Sequence, residues 1–415
     1  MRRLCLLTLL VPLLAPAVAR AGVGAEISGI VDRSAFGGSG TGIAVYDQTA
    51  HRPLYRLHPR TELKPASNMK LTTAATVLAD IGAGSRLTTR VYATGTLSGG
   101  TLTGSLWLVG GGDPSLSVGS FRRRAFDGVG GRVADLAAGV RTAGIRHVTG
   151  RVWGDETLFD TRRTGPYWKP SYWRDCPPIS ALSVNEDLVS FFQPYSYHQP
   201  ALRAADALRA SLRSHGVTVG HDSRTAALPA GATLVASERS PLVGRLVKIM
   251  DRRSDNYFAE VLNKGLAVAV GATGTMAHGR HEARRYLTSI GVGLRGARLY
   301  DGSGLSPADR LSPRQLVRLL RRVLGQPYAD TFRHSLPVAG VNGTLAERMR
   351  TGPAHGNAQA KTGTLDDASN LSGYVTSANG HRIVFSIMIN RRRLNITAAQ
   401  ALQDRIVQAL AGSRP

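Results

Sequence analysis

The sequence has 415 residues, 42% of them hydrophobic, which is enough for a full core in two or three domains of about 100–200 residues each. This composition excludes a disordered or fibrous chain. The net charge of +24 at pH 7 indicates an anionic environment such as nucleic acid, an acidic membrane or an anionic cell wall. Because the basic residues are scattered, without interleaved aromatic residues, a solvated basic surface is favoured and no nucleic-acid partner is expected.

The first 21 residues have the pattern of a signal peptide. A short basic start precedes an apolar run, residues 4–15, that is too short to span a bilayer, and residues 19–21 (Ala-Arg-Ala) fit a small-x-small cleavage site. Pro12 and Pro16 disfavour the alternative, a buried first helix. No later segment approaches 18 apolar residues, so we expect a secreted protein without a transmembrane segment, and contact with an anionic cell wall fits its charge.

Cleavage of this signal peptide leaves one cysteine in the mature chain, Cys176, because Cys5 lies in the leader. No internal disulfide can form, so Cys176 is expected to be either a small buried hydrophobic side chain or a free thiol. No H-E-x-x-H or C-x-x-C string occurs, and we therefore expect no metal and no cofactor.

Strands are expected first at residues 42–46 and 53–57, as a hairpin. A helix then begins near Ser67, carries its apolar residues on one face and ends at Gly82. Residues 91–236 differ in character, with Gly-rich strand and turn patterns and Ala-rich helices at 133–143 and 201–214. We interpret this region as an insertion that forms two small subdomains.

The C-terminal part returns to long helices and then to strands. A helix is expected at 313–324 behind a Ser-Pro start, strands at 358–364, 371–376 and 382–390, and a closing helix at 396–411. The two early and three late strands predict one five-stranded antiparallel sheet flanked by helices. Residues 22–90 and 237–415 are therefore expected to form a single catalytic domain.

Three short motifs follow one another along the chain: Ser67-x-x-Lys70, Ser254-Asp255-Asn256 and Lys361-Thr362-Gly363. Residues three apart on a helix share a face, so the amine of Lys70 can lie beside the Ser67 hydroxyl. A neutral lysine can take the serine proton, and burial together with a second cation, Lys361, favours the neutral amine. The sequence therefore predicts Ser67 as a nucleophile and Lys70 as its general base.

The remaining motif residues fit the other needs of acyl transfer. Ser254 can relay the proton toward the leaving group, and Asn256 can orient Lys70 and the substrate amide. Lys361 and Thr362 can hold a substrate carboxylate, while Gly363 lets the substrate lie against the strand.

Each motif has an ordinary structural alternative. Ser67 and Asn256 could be helix caps, and Lys361 a charge on an edge strand. The ordered conjunction of the three motifs argues against this alternative. Moreover, Lys70 and Lys361 are two of only six lysines in a chain that otherwise uses arginine, which suggests that an amine is required.

The chain resembles the class C low-molecular-mass penicillin-binding proteins, the D-Ala-D-Ala carboxypeptidase and endopeptidase family, over nearly the whole mature sequence. Besides the three motifs, the resemblance is carried by five stretches, residues 110–114 (GGGDP), 178–185 (PISALSVN), 301–306 (DGSGLS), 343–345 (GTL) and 361–365 (KTGTL). It implies an α/β (α+β) serine β-lactamase-like transpeptidase fold with inserted domains. It also implies peptidoglycan stem peptides as substrates, β-lactams as covalent inhibitors, and an oxyanion hole formed by the backbone N–H groups of Ser67 and Thr364.

One position departs from the family pattern. Members often carry an acidic residue in the insertion, upstream of a Pro-Pro pair, where it meets the amino group of the stem-peptide side chain. In this sequence Lys169 lies near that place. The side-chain preference therefore does not follow from the resemblance.

The sequence thus predicts a serine-type D-Ala-D-Ala carboxypeptidase at the cell wall and leaves an additional D,D-endopeptidase activity open. A β-lactamase is one alternative, but the E-x-x-x-N string with which class A enzymes activate the deacylating water does not occur. A non-catalytic wall-binding protein is the other alternative. It is disfavoured by the intact set of catalytic residue types, Ser67, Lys70, Ser254, Asn256 and Lys361.

Overall fold

The computed structural model describes residues 22–190, 196 and 198–415. The predicted signal peptide, residues 1–21, lies outside the described residues. The α-helices of the described part are α1 Val23–Asp32, α2 Lys70–Val77, α3 Gly119–Ala125, α4 Val133–Thr142, α5 Pro200–Ser214, α6 Val243–Arg253, α7 Asn256–Ala269, α8 Met276–Ser289, α9 Pro313–Val323, α10 Ala329–Ser335 and α11 Ile396–Gly412. The strands are β1 Thr41–Asp47, β2 Arg52–Leu57, β3 Thr88–Ser98, β4 Thr101–Val109, β5 His147–Val148, β6 Val152–Asp155, β7 Thr218–Val219, β8 Arg224–Thr225, β9 Thr233–Arg239, β10 Gln359–Leu365, β11 Ala368–Thr376 and β12 Arg382–Asn390.

A five-stranded antiparallel sheet joins the two ends of the chain in the order β10-β11-β12-β1-β2. Its strands are the five that the sequence predicts, each within a few residues of the expected bounds. The central strand β12 is buried along both faces, because successive side chains point to opposite sides. Val384 and Met388 belong to the core on one face, and Phe385 and Ile387 to the core on the other.

Helices cover both faces of this sheet. On one face, α1 and α11 pack against each other and over the apolar side chains of β11 and β12. On the other face, α2 runs through the core and contacts α6, α7 and α8. All eight residues of α2 are buried, so this helix is fixed along its whole length. A rigid α2 holds the residues at its N-terminal end in a defined position.

A second, seven-stranded sheet is built by strands between residues 88 and 239. Its main order is β7-β5-β4-β3-β9, and β6 and β8 extend it beside β4. Helices α4 and α5 pack on it around a core of their own. None of its strands belongs to the five-stranded sheet. The division of residues 91–236 into two subdomains stays a prediction.

Part of the region at residues 91–236 packs against the helices on one face of the five-stranded sheet. Phe126, Phe159, Tyr172 and Ile179 belong to the same hydrophobic core as α2 and α7. This part of residues 91–236 is therefore docked against α2 and α7. Within the described part of the chain, no helix has both the length and the apolar character needed to cross a membrane.

Candidate active site

Ser67 lies in a 3-10 turn, Ala66–Met69, that leads directly into α2. The preceding Ala66 has a φ of 46°, a left-handed conformation that costs a non-glycine residue about 1 kcal/mol or more. Gly304 lies against this turn, and a Cβ on it would be 1.8 Å from the carbonyl oxygen of Ala66. The strained entry and the close glycine together fix the direction of the Ser67 side chain, which stays partly exposed.

Lys70 is completely buried and points its amine at three oxygen atoms. Its Nζ donates to Ser67 Oγ at 3.0 Å, to Asn256 Oδ1 at 2.6 Å and to the carbonyl of Ser303 at 2.9 Å. All three acceptors are formally neutral. The structure therefore brings the predicted nucleophile, the predicted base and Asn256 together as the sequence predicts.

The Ser254-Asp255-Asn256 motif forms the junction between α6 and α7. Ser254 ends α6 in a left-handed conformation with φ of 59°, and Asp255 caps α7 by accepting the backbone N–H of Phe258 at 3.1 Å. This sharp corner turns Ser254 and Asn256 toward the same site. Here too backbone strain lies at or next to a predicted site residue.

Lys361 on β10 contacts the second serine of the site. Its buried Nζ donates to Ser254 Oγ at 2.8 Å and to the carbonyl of Thr362 at 3.0 Å. The Thr362 hydroxyl lies 2.7 Å from that of Thr344, which belongs to the 343–345 stretch quoted above. Thr364, farther along the same strand, is exposed. Because β10 is an edge strand, its outer side is open for an extended peptide.

Gly363 on β10 packs closely against the turn that carries Ser67. A Cβ on this residue would be 2.7 Å from the carbonyl oxygen of Pro65 and 2.8 Å from Asn68 Nδ2. The glycine therefore lets the turn that carries Ser67 pack directly against the strand. This close packing sets the distance between Ser67 and Lys361. The contact of Gly363 with substrate stays a prediction.

Both lysines have lowered pKa values. Burial lowers the pKa of Lys70 to about 8, against the opposing effect of several carboxylates, of which Asp301 acts most strongly. Burial and, after it, the charge of Lys70 lower the pKa of Lys361 to about 7. Burial thus allows the pair to give up one proton near neutral pH. The expected arrangement, a neutral Lys70 beside a charged Lys361, stays a prediction.

Two buried carboxylates at the site were not among the predicted residues. Glu260 accepts the backbone N–H of Gly302 and of Ser303, and so holds the carbonyl to which Lys70 donates. Burial raises the pKa of Glu260 to about 8. Asp251 accepts the Ser335 hydroxyl at 2.6 Å, and burial raises its pKa to about 6.

The inserted region supplies one wall of the site. The carbonyl of Asp175 accepts Asn256 Nδ2 at 2.9 Å, and Trp168 Nε1 donates to Asp301 Oδ2 at 2.7 Å. Cys176, next to this wall, is buried, and burial raises the pKa of its thiol well above the usual range. Of the two alternatives for Cys176, the small buried side chain is the one observed.

The sequence matches the model of the D-Ala-D-Ala carboxypeptidase 3 (S13) family over residues 23–194 and 192–412. The chain belongs to this family.

Similar proteins extend the match to nearly the full length of the chain. A D-alanyl-D-alanine carboxypeptidase of Actinomadura sp. (strain R39) is 30% identical, over 93% of this chain and 84% of the relative. A carboxypeptidase of Mycobacterium tuberculosis is 30% identical, over 83% of this chain and 75% of the relative.

Solved structures agree on the fold. Penicillin binding protein 4 of Haemophilus influenzae superposes with a TM-score of 0.77 at 20% identity, over 93% of this chain and 98% of that one. A predatory peptidoglycan endopeptidase of Bdellovibrio bacteriovorus superposes with a TM-score of 0.56 at 15% identity, over 90% and 93%. The predicted family, the fold class and the serine-type D-Ala-D-Ala carboxypeptidase activity are confirmed.

Proposed function

We propose that this carboxypeptidase acts on peptidoglycan stem peptides through an acyl-enzyme on Ser67. The observation that carries the assignment is the pair of hydrogen bonds from two buried amines to the two motif serines, Lys70 to Ser67 and Lys361 to Ser254. Each serine hydroxyl thus has a proton carrier within 3.0 Å. A serine nucleophile needs such a carrier because its own hydroxyl is a poor nucleophile at neutral pH.

In this mechanism Ser67 Oγ forms an ester with the carbonyl carbon of the penultimate D-alanine. The bond from that carbon to the nitrogen of the terminal D-alanine breaks. The proton of Ser67 moves to Lys70 and returns through Ser254 to the departing nitrogen, and water then hydrolyses the ester. A D-Ala to diaminopimelate cross-link differs only in the departing amine, so the same steps support D,D-endopeptidase activity.

Substrate binding favours the protonation state that acylation of Ser67 needs. A substrate carboxylate held by Lys361 and Thr362 favours the charged form of Lys361. That charge in turn disfavours a proton on Lys70, because like charges close together in a buried site repel each other. The carboxylate therefore keeps the single remaining proton of the pair on Lys361 and leaves Lys70 neutral beside Ser67.

We place the enzyme outside the cytoplasmic membrane, at the cell wall. The support is the predicted signal peptide of residues 1–21, the net charge of +24 and the stem-peptide substrate itself. The independence of the reaction from metals and cofactors stays a prediction, as does the oxyanion hole of Ser67 and Thr364.

Labelling with penicillin tests the assignment of Ser67. We expect intact-mass analysis to find one penicillin added per chain, and peptide mapping to place it on the fragment with Ser67. The adduct should be long-lived, because the glutamate of class A β-lactamases has no counterpart in the sequence. Ser67→Ala should abolish the label and the release of D-alanine from an acyl-D-Ala-D-Ala peptide.

Three other outcomes would contradict the proposal. Rapid multiple turnover of penicillin would favour the β-lactamase alternative. An adduct on another serine would overturn the site. The complete lack of a covalent label, together with binding to cell walls, would favour the non-catalytic wall-binding protein.

A further inference from the structure

A strongly basic groove lies between the edge of the five-stranded sheet and α9. It consists of three adjoining cavities of about 520, 320 and 500 Å³, which share residues where they meet. We call it the arginine groove and define it by six side chains, Arg56, Arg60, Arg314, Arg318, Arg321 and Arg322. Among the residues that the structure describes, no aspartate or glutamate lines any of the three cavities.

The helical pattern of α9 explains why the charges form a row. Leu316, Leu319 and Leu320 are buried in the core, so the opposite face of the helix must carry the polar side chains. Arginines at positions 314, 318, 321 and 322 follow that face, about one for each 5.4 Å turn. Over its 11 residues the helix offers a charged row roughly 16 Å long.

These arginines lack the neutralising partners found elsewhere in the molecule. Arg348, for example, is paired with Asp404 at 2.6 Å. Within the described residues, none of the six arginines of the groove forms an ion pair with a carboxylate. Arg321 instead donates Nε to Gln48 Oε1 at 3.0 Å and lies over the ring of Tyr46.

The arginines of the groove also repel one another. Burial and then the charges of Arg60, Arg318 and Arg56 lower the pKa of Arg314. The guanidinium groups nevertheless stay charged at any physiological pH. An anion bound in the groove would relieve the repulsion, so the free groove is preorganised for a ligand of opposite charge.

The guanidinium groups of the arginine groove favour a phosphate-containing polymer as ligand. A planar guanidinium binds phosphate through two parallel hydrogen bonds, and six of them along a groove exceed the needs of a single small anion. A polymer with a phosphate in every repeat of its backbone supplies regularly spaced charges. The stem peptides instead carry their carboxylates on side branches of the glycan.

The position of the groove separates it from catalysis. It borders β1 and β2, whereas Lys361 lies on β10 at the opposite edge of the sheet. Four steps between neighbouring strands place the two edges roughly 19 Å apart. A polymer bound in the groove would therefore leave the candidate active site open.

We propose that the arginine groove binds an anionic phosphodiester polymer of the cell wall and so holds the enzyme beside its substrate. The proposal rests on the wall location proposed above. It assigns to one surface the wall contact that the net charge alone could not locate.

Binding of purified poly(glycerol phosphate) to the mature chain tests the groove. The variant Arg314→Gln/Arg318→Gln/Arg322→Gln should weaken binding at least about tenfold and reduce the slope of log affinity against log salt by about two. The control Arg141→Gln/Arg146→Gln/Arg213→Gln removes the same charge from α4, α5 and the segment before β5, and should change affinity less than about twofold. Equal weakening in both variants, or no binding by the unmodified chain, would overturn the proposal.

Competing polyanions test the identity of the ligand. We expect an oligothymidylate, and vesicles of equal parts phosphatidylglycerol and phosphatidylcholine, to bind more weakly than poly(glycerol phosphate) at equal phosphate concentration. Tighter binding of either probe, lost in the groove variant, would replace the wall polymer by nucleic acid or membrane as the ligand. Both triple variants should keep the unmodified rate of penicillin labelling, so a failure of the Ser67 assignment is distinguishable from a failure of the groove.

Discussion

Two regions of the molecule bury lysine side chains completely, but they differ in the partners that the buried amines have. In the candidate active site, Lys70 and Lys361 hydrogen-bond only to hydroxyl, amide and carbonyl oxygens. Where α7 meets the inserted region, Lys264 donates to Asp160 Oδ1 at 2.5 Å and to the carbonyl of Arg162 at 2.8 Å. Lys264 has a carboxylate in direct contact, whereas neither site lysine forms an ion pair with any residue that the structure describes.

The difference shows how one residue type serves two purposes. Burial disfavours the charge on all three amines, but Asp160 opposes this effect on Lys264. The carboxylates near Lys70 act from farther away, so its amine gives up a proton more readily. A lysine that must lose its proton is therefore expected to tolerate no arginine, whereas a lysine that only supplies charge should accept one.

Lys70→Arg is the most severe test of this contrast. Arginine keeps the charge but does not give up its proton, so we expect acylation of Ser67 by penicillin to fall by about a thousandfold. The control is Lys64→Arg, because Lys64 is ion-paired with Asp367 and supplies only charge. Acylation by this control should stay within about threefold of the unmodified rate. A Lys70→Arg enzyme with most of its acylation rate would reject Lys70 as the base.

Lys264→Met should affect stability and leave the chemistry alone. It removes one partner of a buried pair, and such losses cost about 3–5 kcal/mol when the remaining charge is fully buried. The Asp160 side chain is 31% exposed, so water can solvate it and we expect a loss of about 2 kcal/mol. Urea unfolding measures this change. A large fall in the acylation rate of the folded variant would show that Lys264 also serves the site.

The pH dependence of kcat/KM for an acyl-D-Ala-D-Ala peptide reports the lysine pair. The rate should rise about tenfold per pH unit on the acid side, because the pair must lose one proton before Ser67 can be activated. The rising limb should have an apparent pKa between about 7 and about 8, a property of the pair and not of one lysine.

Asp251→Asn should shift the pH profile of kcat/KM in a defined direction. The negative charge of Asp251 raises the pKa of both lysines, so its removal should move the rising limb to lower pH. A limb that stays in place, or moves to higher pH, would mean that another group controls the rate.

The sequence predicted side chains that the structure brings together at the candidate site, because the proposed chemistry requires particular residue types at short spacing. It missed the groups that position them. The carbonyls of Ser303 and Asp175 could be supplied by any residue, so no sequence pattern identifies them. Glu260 could have been predicted from the sequence. It follows Asn256 by four residues, so both lie on the same face of α7, and a buried acidic side chain needs a hydrogen-bond or ionic partner.

Fold prediction had a similar limit. The five strands of the antiparallel sheet alternate or run apolar over enough residues to be recognised, and the Ser312 start of α9 is a full capping box. In the second sheet, β5, β7 and β8 have two residues each and pair in parallel with distant segments. Strands this short carry no periodicity, so their pairing depends on contacts that the local sequence does not encode.

Substitution of Lys169 is expected to have the smallest effect on activity. It tests whether the inserted region contacts the stem peptide. Its amine is paired with Asp366, in the turn between β10 and β11, at 2.7 Å. Both side chains are well exposed, so the pair itself contributes at most about 1 kcal/mol. Lys169→Glu should therefore leave penicillin acylation within about twofold, because penicillin has no stem-peptide side chain to meet residue 169.

A substrate pair separates a specificity role of Lys169 from a structural one. The test uses two peptides whose third residue carries either a free or an acetylated side-chain amine, and the measured quantity is the rate of D-alanine release. If residue 169 faces that amine, Lys169→Glu should raise the preference for the free amine by about fivefold, since attraction replaces repulsion at an exposed site. A control, Lys248→Glu, makes the same charge change on α6, outside the candidate site, and should leave the preference unchanged. Equal shifts in both variants would mean that the peptide senses only the net charge of the enzyme, and no shift in either would place the side chain of the stem peptide away from residue 169.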